Sequence, residues 1–190
     1  MRAIIPAAGE GTRLRPHTYT HPKALLHVAG KPILAHILDK LVAHEIDEVT
    51  LIVGHLGDRI KEYVDSHYRV PVHYVEQPER QGIAHALYLA REYFGHDPLF
   101  VVLGDTIFET DLGPVFQGPY TSLGVKEVDD PRRFGIVVVR DGFVCRVVEK
   151  PARPETNLAL VGMYFIKDPT SLTECIEEMI EKDMRTKAEY

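Results

Sequence analysis

Tryptophan is absent from the 190-residue chain, and cysteine occurs only twice, at Cys145 and Cys175. Two thiols build neither a disulfide framework nor a cysteine cluster for a metal. Both are expected as reduced thiols, in the core or near the surface. No apolar run approaches the roughly 20 residues that a membrane-spanning helix needs; "VTLIV" (49–53) and "GIVVV" (135–139) have only the length of strands. The opening "MRAII" lacks the successive regions of a secretory leader, so a cytoplasmic location is expected. A basic surplus is also missing. Lys and Arg number 22 against 28 Asp and Glu, a net charge of −6, which argues against a nucleic-acid track. What remains is ordinary globular composition, 45% hydrophobic and 26% charged. Disorder, collagen and coiled coil are excluded for the chain as a whole, and the length suits one domain.

The charge is unevenly placed. Residues 1–32 carry Arg2, Arg13, Arg15, Lys23 and Lys31 against Glu10 alone. A basic segment on an acidic protein suggests a local anion site. The same segment is dense in breakers: Gly9, Gly11, Pro16, Pro22, Gly30 and Pro32. It reads as a long irregular loop, of the kind that is functional when it occurs inside a compact domain. Leu14, Leu25, Leu26 and Val28 are its expected anchors.

Around this loop the hydrophobic pattern alternates between strand and helix. Strands are predicted at 1–7, 48–53, 70–75 and 99–104. Helices are predicted at 32–44, 56–68 and 82–94, the last with Ile83, Ala86, Leu87, Ala90 and Phe94 facing inward. Such alternation implies βαβ units and a parallel sheet with helices on both faces. Ligands of open α/β sheets bind beyond the strand C-termini. The second half holds four further strand patterns, 121–128, 135–140, 144–150 and 158–166, and a helix near 171–182. The expected fold is therefore α/β: a three-layer, Rossmann-like nucleotide-binding domain. Its sheet is mostly parallel, with an antiparallel or mixed extension. Residues 1–119 are its nucleotide half and 120–190 its sugar-phosphate half.

Within "GEGTRLRP" (9–16), Gly9 and Gly11 would let a phosphate approach backbone N–H groups. Arg13 can grip phosphate oxygens bidentately, and Lys23 adds a mobile positive charge. A dinucleotide fingerprint fails, because Leu14 stands where a third small residue belongs. A P-loop fails too, because Pro32 follows Gly30-Lys31.

The stretch "AAGEGTRLRPHTYTHPKALLHVAGKP" (7–32) resembles the signature of the sugar-1-phosphate nucleotidyltransferases, and within them the glucose-1-phosphate thymidylyltransferases. The resemblance implies transfer of a nucleotidyl group from a nucleoside triphosphate to a sugar 1-phosphate, with release of pyrophosphate. It makes Arg13 and Lys23 the catalytic cations. It places Ala8, Gly9, Gly11 and Thr12 with Arg13 on the nucleotide. "VEQPERQGIAHAL" (75–87) is similar to the family's base-recognition segment, which assigns Gln77 and Gly82 to the base. Asp105, after "LFVVLG", matches the family's metal-binding Asp and implies Mg²⁺. "RRFGIVVVRDGFVCRVVEKPARPETNLALVGMYF" (132–165) resembles the sugar-binding half. By that match Gly135, Glu149, Lys150 and Leu160 meet the sugar phosphate. The family continues past this length and supplies a second metal-binding Asp there, so the resemblance spans this whole chain but only part of that domain. Neither nucleic acid nor membrane is an expected partner, and self-association is compatible with the pattern.

Overall fold

The computed structural model describes residues 1–185 and 189–190. Strand β1 (Arg2–Pro6) runs into the basic segment. That segment is more ordered than its sequence suggests. Three short 3₁₀ turns, at 12–14, 17–19 and 23–25, are followed by a hairpin of β2 (His27–Val28) and β3 (Lys31–Pro32). Ala29 and Gly30 both take positive φ in its two-residue turn, the geometry that matches the twist of flanking strands. Leu25 and Leu26 pack on the core as expected. Leu14 and Val28 do not; both are exposed, and buried Thr18 and Ala24 anchor the loop instead. The hairpin and the 3₁₀ turns set which side chains face inward, and no simple period predicts that.

Next come α1 (Ile33–Ala43), β4 (Glu48–Val53), α2 (Gly57–His67) and β5 (Val72–Glu76). They are followed by α3 (Ile83–Leu89), β6 (Leu99–Val102) and a single turn, α4 (Gly113–Phe116). The expected helix over 82–94 breaks after Leu89 and resumes as a 3₁₀ turn at 91–93. Ala86, Leu87, Ala90 and Phe94 are buried, but Ile83 is 46% exposed. The second half adds β7 (Ser122–Glu127), β8 (Gly135–Arg140), β9 (Phe143–Glu149), β10 (Leu158–Ile166) and α5 (Pro169–Glu181). Both cysteines are free and exposed.

The sheet runs β5-β4-β1-β6-β10-β8-β9, with β7 also paired to β10. Its first four strands are parallel, and β10 joins β6 antiparallel. Alternate residues of each parallel strand go to opposite faces, as the period of two demands. Ala3, Ile5, Val49, Leu51, Phe100 and Val102 face α1 and α2. Ile4, Ile52, Leu99 and Val101 face α3 and α5. Three layers result. β10 carries a register shift between Leu160 and Tyr164. Gly162 sits inside it at φ +75°, where a Cβ would strike Leu103 and Thr106. Such bulges bend a strand and re-aim its side chains.

At the other end of the sheet, Arg2 Nε donates to Glu48 Oε2 at 2.7 Å, and His73 holds the second oxygen. The Arg2 guanidinium above all, and His73 after it, keep the Glu48 carboxyl below its ordinary value of 4.5. A carboxyl depressed on folding contributes stability above its unfolded pKa and loses it as pH falls through the folded one. Wild type is therefore expected to lose melting temperature faster than Glu48→Gln as pH drops below 4.5. Parallel melting curves for the two proteins would contradict this.

Candidate active site

β1 is the strand at which the sheet order turns. The chain leaves it toward β4 and β5 on one side and returns to β6 on the other. A crevice forms beyond the strand ends at such a switch point. Here it is a cleft of about 290 Å³, walled by the chain after β1 (Pro6–Gly9 and Gly11), by Leu103–Asp105 after β6, and by Gln77, Arg80 and Gly82. The walls are close-built. Ala7 N donates to Ile52 O at 2.7 Å, and Gly104 N donates to Pro6 O at 2.9 Å. A Cβ on Gly104 would lie 2.9 Å from the Ala7 Cβ.

The two glycines of the turn have different reasons. Gly11 has φ +61°, and a Cβ there would lie 2.9 Å from Thr18 Cγ2 and 3.1 Å from Lys23 Cβ. Thr18 is buried and its hydroxyl donates to Gly11 O at 2.9 Å. A methyl on Gly9 would meet nothing within 4 Å. Gly11→Ala is expected to lower stability by about 1–3 kcal/mol, from positive-φ strain and crowding. Gly9→Ala is expected to melt like wild type, because its methyl meets nothing. Equal melting temperatures for the two variants would contradict the distinction.

Lys23 and Asp105, 82 residues apart, form an ion pair on the cleft wall. Arg13 lies in the first 3₁₀ turn, exposed, and is not among the residues lining the cleft. It forms no ion pair with any described residue. Thr12 is exposed beside it, while Ala8 is buried on the wall. Gln77 is 6% exposed, one of three buried polar residues among those described. Its Nε2 donates to Gly82 O at 3.2 Å and lies 3.3 Å from His85 Nδ1. These bonds fix the plane of the amide. Gly82 has φ +99°, and a Cβ there would collide with backbone atoms of Tyr190. Tyr190 N donates to Gln81 O at 2.7 Å, so residues 189–190 brace this segment. Among the described residues, then, packing alone already demands a glycine at position 82.

The remaining expected residues gather at the ends of β8, β9 and β10, outside that cleft's lining. Gly135 pairs with Glu149 across the ladder. A Cβ on Gly135 would lie 2.9 Å from Glu149 Oε2 and 3.3 Å from Leu160 Cδ1. Lys150 takes a positive φ, and its Nζ donates to Glu149 Oε1 at 2.5 Å. Burial raises the Tyr164 phenol, and the Glu149 carboxylate adds to the effect. β10 links this cluster to the cleft: Leu103 N donates to Gly162 O at 2.9 Å, and Thr106 Oγ1 donates to Val161 O at 3.0 Å.

No group of three or more His, Cys, Asp or Glu is arranged to hold a metal among the described residues. A hard divalent ion held by one carboxylate plus substrate phosphates needs no such group. Asp105, half-exposed on the wall beside the glycine turn, fits that mode. Arg80 was not singled out by the sequence, although it lies inside the quoted segment 75–87. Only the cleft wall shows it as a second cation beside Lys23.

The nucleotidyl transferase family model matches residues 2–189. The chain belongs to that family. Among similar nucleotidyl transferases is the UTP–glucose-1-phosphate uridylyltransferase AglF of Haloferax volcanii. It is 39% identical over 173 residues, covering 86% of this chain and 71% of AglF. A glucose-1-phosphate thymidylyltransferase of Streptomyces antibioticus is 37% identical over 174 residues, 87% of this chain and 49% of that protein. A solved structure described as a glucose-1-phosphate thymidylyltransferase of Bacillus anthracis superposes with a TM-score of 0.83 at 31% identity, over 99% of this chain and 77% of that one. This chain thus spans from about half to about three quarters of these three relatives. No helix among the described residues is long and apolar enough to cross a membrane.

Proposed function

We propose that this nucleotidyl transferase moves a nucleotidyl group from dTTP to glucose 1-phosphate, giving a nucleotide sugar and pyrophosphate. The observation that carries the reading is the Lys23–Asp105 pair beside the glycine turn, in one cleft with buried Gln77. That cleft offers backbone N–H groups and cations for a polyphosphate and a fixed amide for a base edge.

The chemistry asks for little beyond this. The second pKa of a phosphate monoester is about 6, so the sugar phosphate is largely a dianion at neutral pH. One of its oxygens bonds to the α-phosphorus. The bond from that phosphorus to the bridging oxygen breaks, and the electron pair leaves with pyrophosphate. No general base is required. The protein's task is to hold two polyanions in line and to stabilise the charge that develops. In this assignment Arg13 holds the β- and γ-phosphates and Lys23 neutralises the α-phosphate. Glu149 accepts from sugar hydroxyls, Lys150 pairs with the sugar phosphate, and Gly135 and Leu160 border the sugar. Asp105 would hold Mg²⁺, which supplies positive charge to the polyphosphate when bound.

A second reading, uridylyl transfer, is favoured by the 39% identity to AglF. Uracil and thymine present the same hydrogen-bonding edge and differ by one methyl group, so Gln77 alone accepts both. Pyrophosphate release, measured for dTTP, UTP, GTP and ATP against glucose and mannose 1-phosphates, tests both readings. Release with dTTP and glucose 1-phosphate is expected to dominate. Preference for UTP selects the second reading, and release from no pair overturns both.

A further inference from the structure

Glu10 lies between the two glycines of the turn, where a carboxylate would repel a bound polyphosphate. Its charge is shared between two guanidiniums. Arg80 Nη2 lies 2.6 Å from Oε1, and Arg15 Nη2 lies 3.1 Å from Oε2. Arg15 is also held over the Tyr19 ring, 5.1 Å from its centroid. Arg80 comes from the opposite wall, between Gln77 and Gly82, and lines the cleft with Gly9, Lys23 and Asp105. It also lines a neighbouring cavity of about 580 Å³, which shares Ala8 and Gln77 with the cleft.

We propose that Arg80 is a phosphate-contacting residue of this cleft, which Glu10 holds in position and surrenders to the polyphosphate of an incoming nucleotide. The proposal rests on the reading of the cleft as a nucleoside triphosphate site. Arg80 is 52% exposed, and an exposed ion pair is weak enough to exchange readily. A guanidinium on phosphate oxygens makes stronger, charge-assisted bonds, often two at once. The exchange leaves no bare carboxylate, because Arg15 stays on Glu10. Glu10 thus sets where Arg80 waits, and the number of phosphates sets how much Arg80 gains by leaving.

The test is calorimetric titration of the full chain with dTTP, dTDP and dTMP, and with the uridine series, at fixed magnesium. Arg80→Gln is expected to raise Kd for the triphosphate about tenfold, for the diphosphate less, and for the monophosphate hardly at all. Arg80→Lys retains most of the triphosphate affinity. Glu10→Gln binds the triphosphate at least as tightly as wild type, since it removes both a competitor and a like charge. Neither side chain is buried, and melting curves check that the variants fold. An unchanged triphosphate Kd in Arg80→Gln overturns the proposal. So does an equal loss for all three nucleotides, or a loss in Glu10→Gln matching that of Arg80→Gln, which would make the pair a purely structural strap. Wild type binding none of the triphosphates overturns the functional reading and this proposal together.

Discussion

Arg13→Ala is expected to lower turnover by about 10²–10³, the usual effect of deleting one donor aimed at developing charge. The argument has two parts. First, Arg13 is exposed and forms no ion pair with a described residue, so the fold does not depend on its head group. A surface change of that kind usually alters stability by less than about 0.5 kcal/mol. Second, Arg13 stands two residues after the left-handed Gly11, in the 3₁₀ turn that Gly11 opens, and Gly11 itself lines the cleft. Stability and turnover should therefore separate: an unchanged melting curve with pyrophosphate release near background. Near-normal release from the variant would remove Arg13 from the mechanism.

Asp105→Asn is the second large effect. The carboxylate stands at the end of β6 and pairs with Lys23. Asparagine keeps the shape but removes the charge, and with it the hard anionic ligand that Mg²⁺ prefers. Loss even of an outer-sphere partner commonly weakens a metal site 10–100-fold. The magnesium concentration for half-maximal pyrophosphate release is therefore expected to rise about tenfold or more. Lys23 would also lose its charged partner, and a neutral amide competes with the triphosphate for the ammonium less strongly than a carboxylate does. Triphosphate affinity without magnesium should then rise rather than fall. An unchanged magnesium titration would leave Asp105 as only the partner of Lys23.

The strand–helix alternation of the first hundred residues was legible because it is local. Periods of two and of 3.6 are written in neighbouring side chains, and a buried parallel strand shows as a short apolar run. The glycine turn, Lys23, the segment 75–87 and Asp105 were legible as local patterns for the same reason. The 3₁₀ turns and the hairpin at 27–32 were not. The hairpin turns on the positive φ of Ala29 and Gly30, and the first 3₁₀ turn on that of Gly11 with Thr18 turned inward to it; these leave no period. The break after Leu89 was missed because apolar spacing continues through Ala90 to Phe94 although the backbone changes its winding.

By itself, the sequence determined the α/β layering, the basic charge of residues 9–23 and the family membership that the motifs imply. Only the tertiary structure decided that Lys23 meets Asp105, that Gln77 is buried with its amide fixed, and that Arg80 reaches Glu10 from the opposite wall. The physical reason is sheet order. Contacts between residues about 70 or 80 positions apart depend on which strands become neighbours, and that choice is made by burial of both faces of the sheet at once.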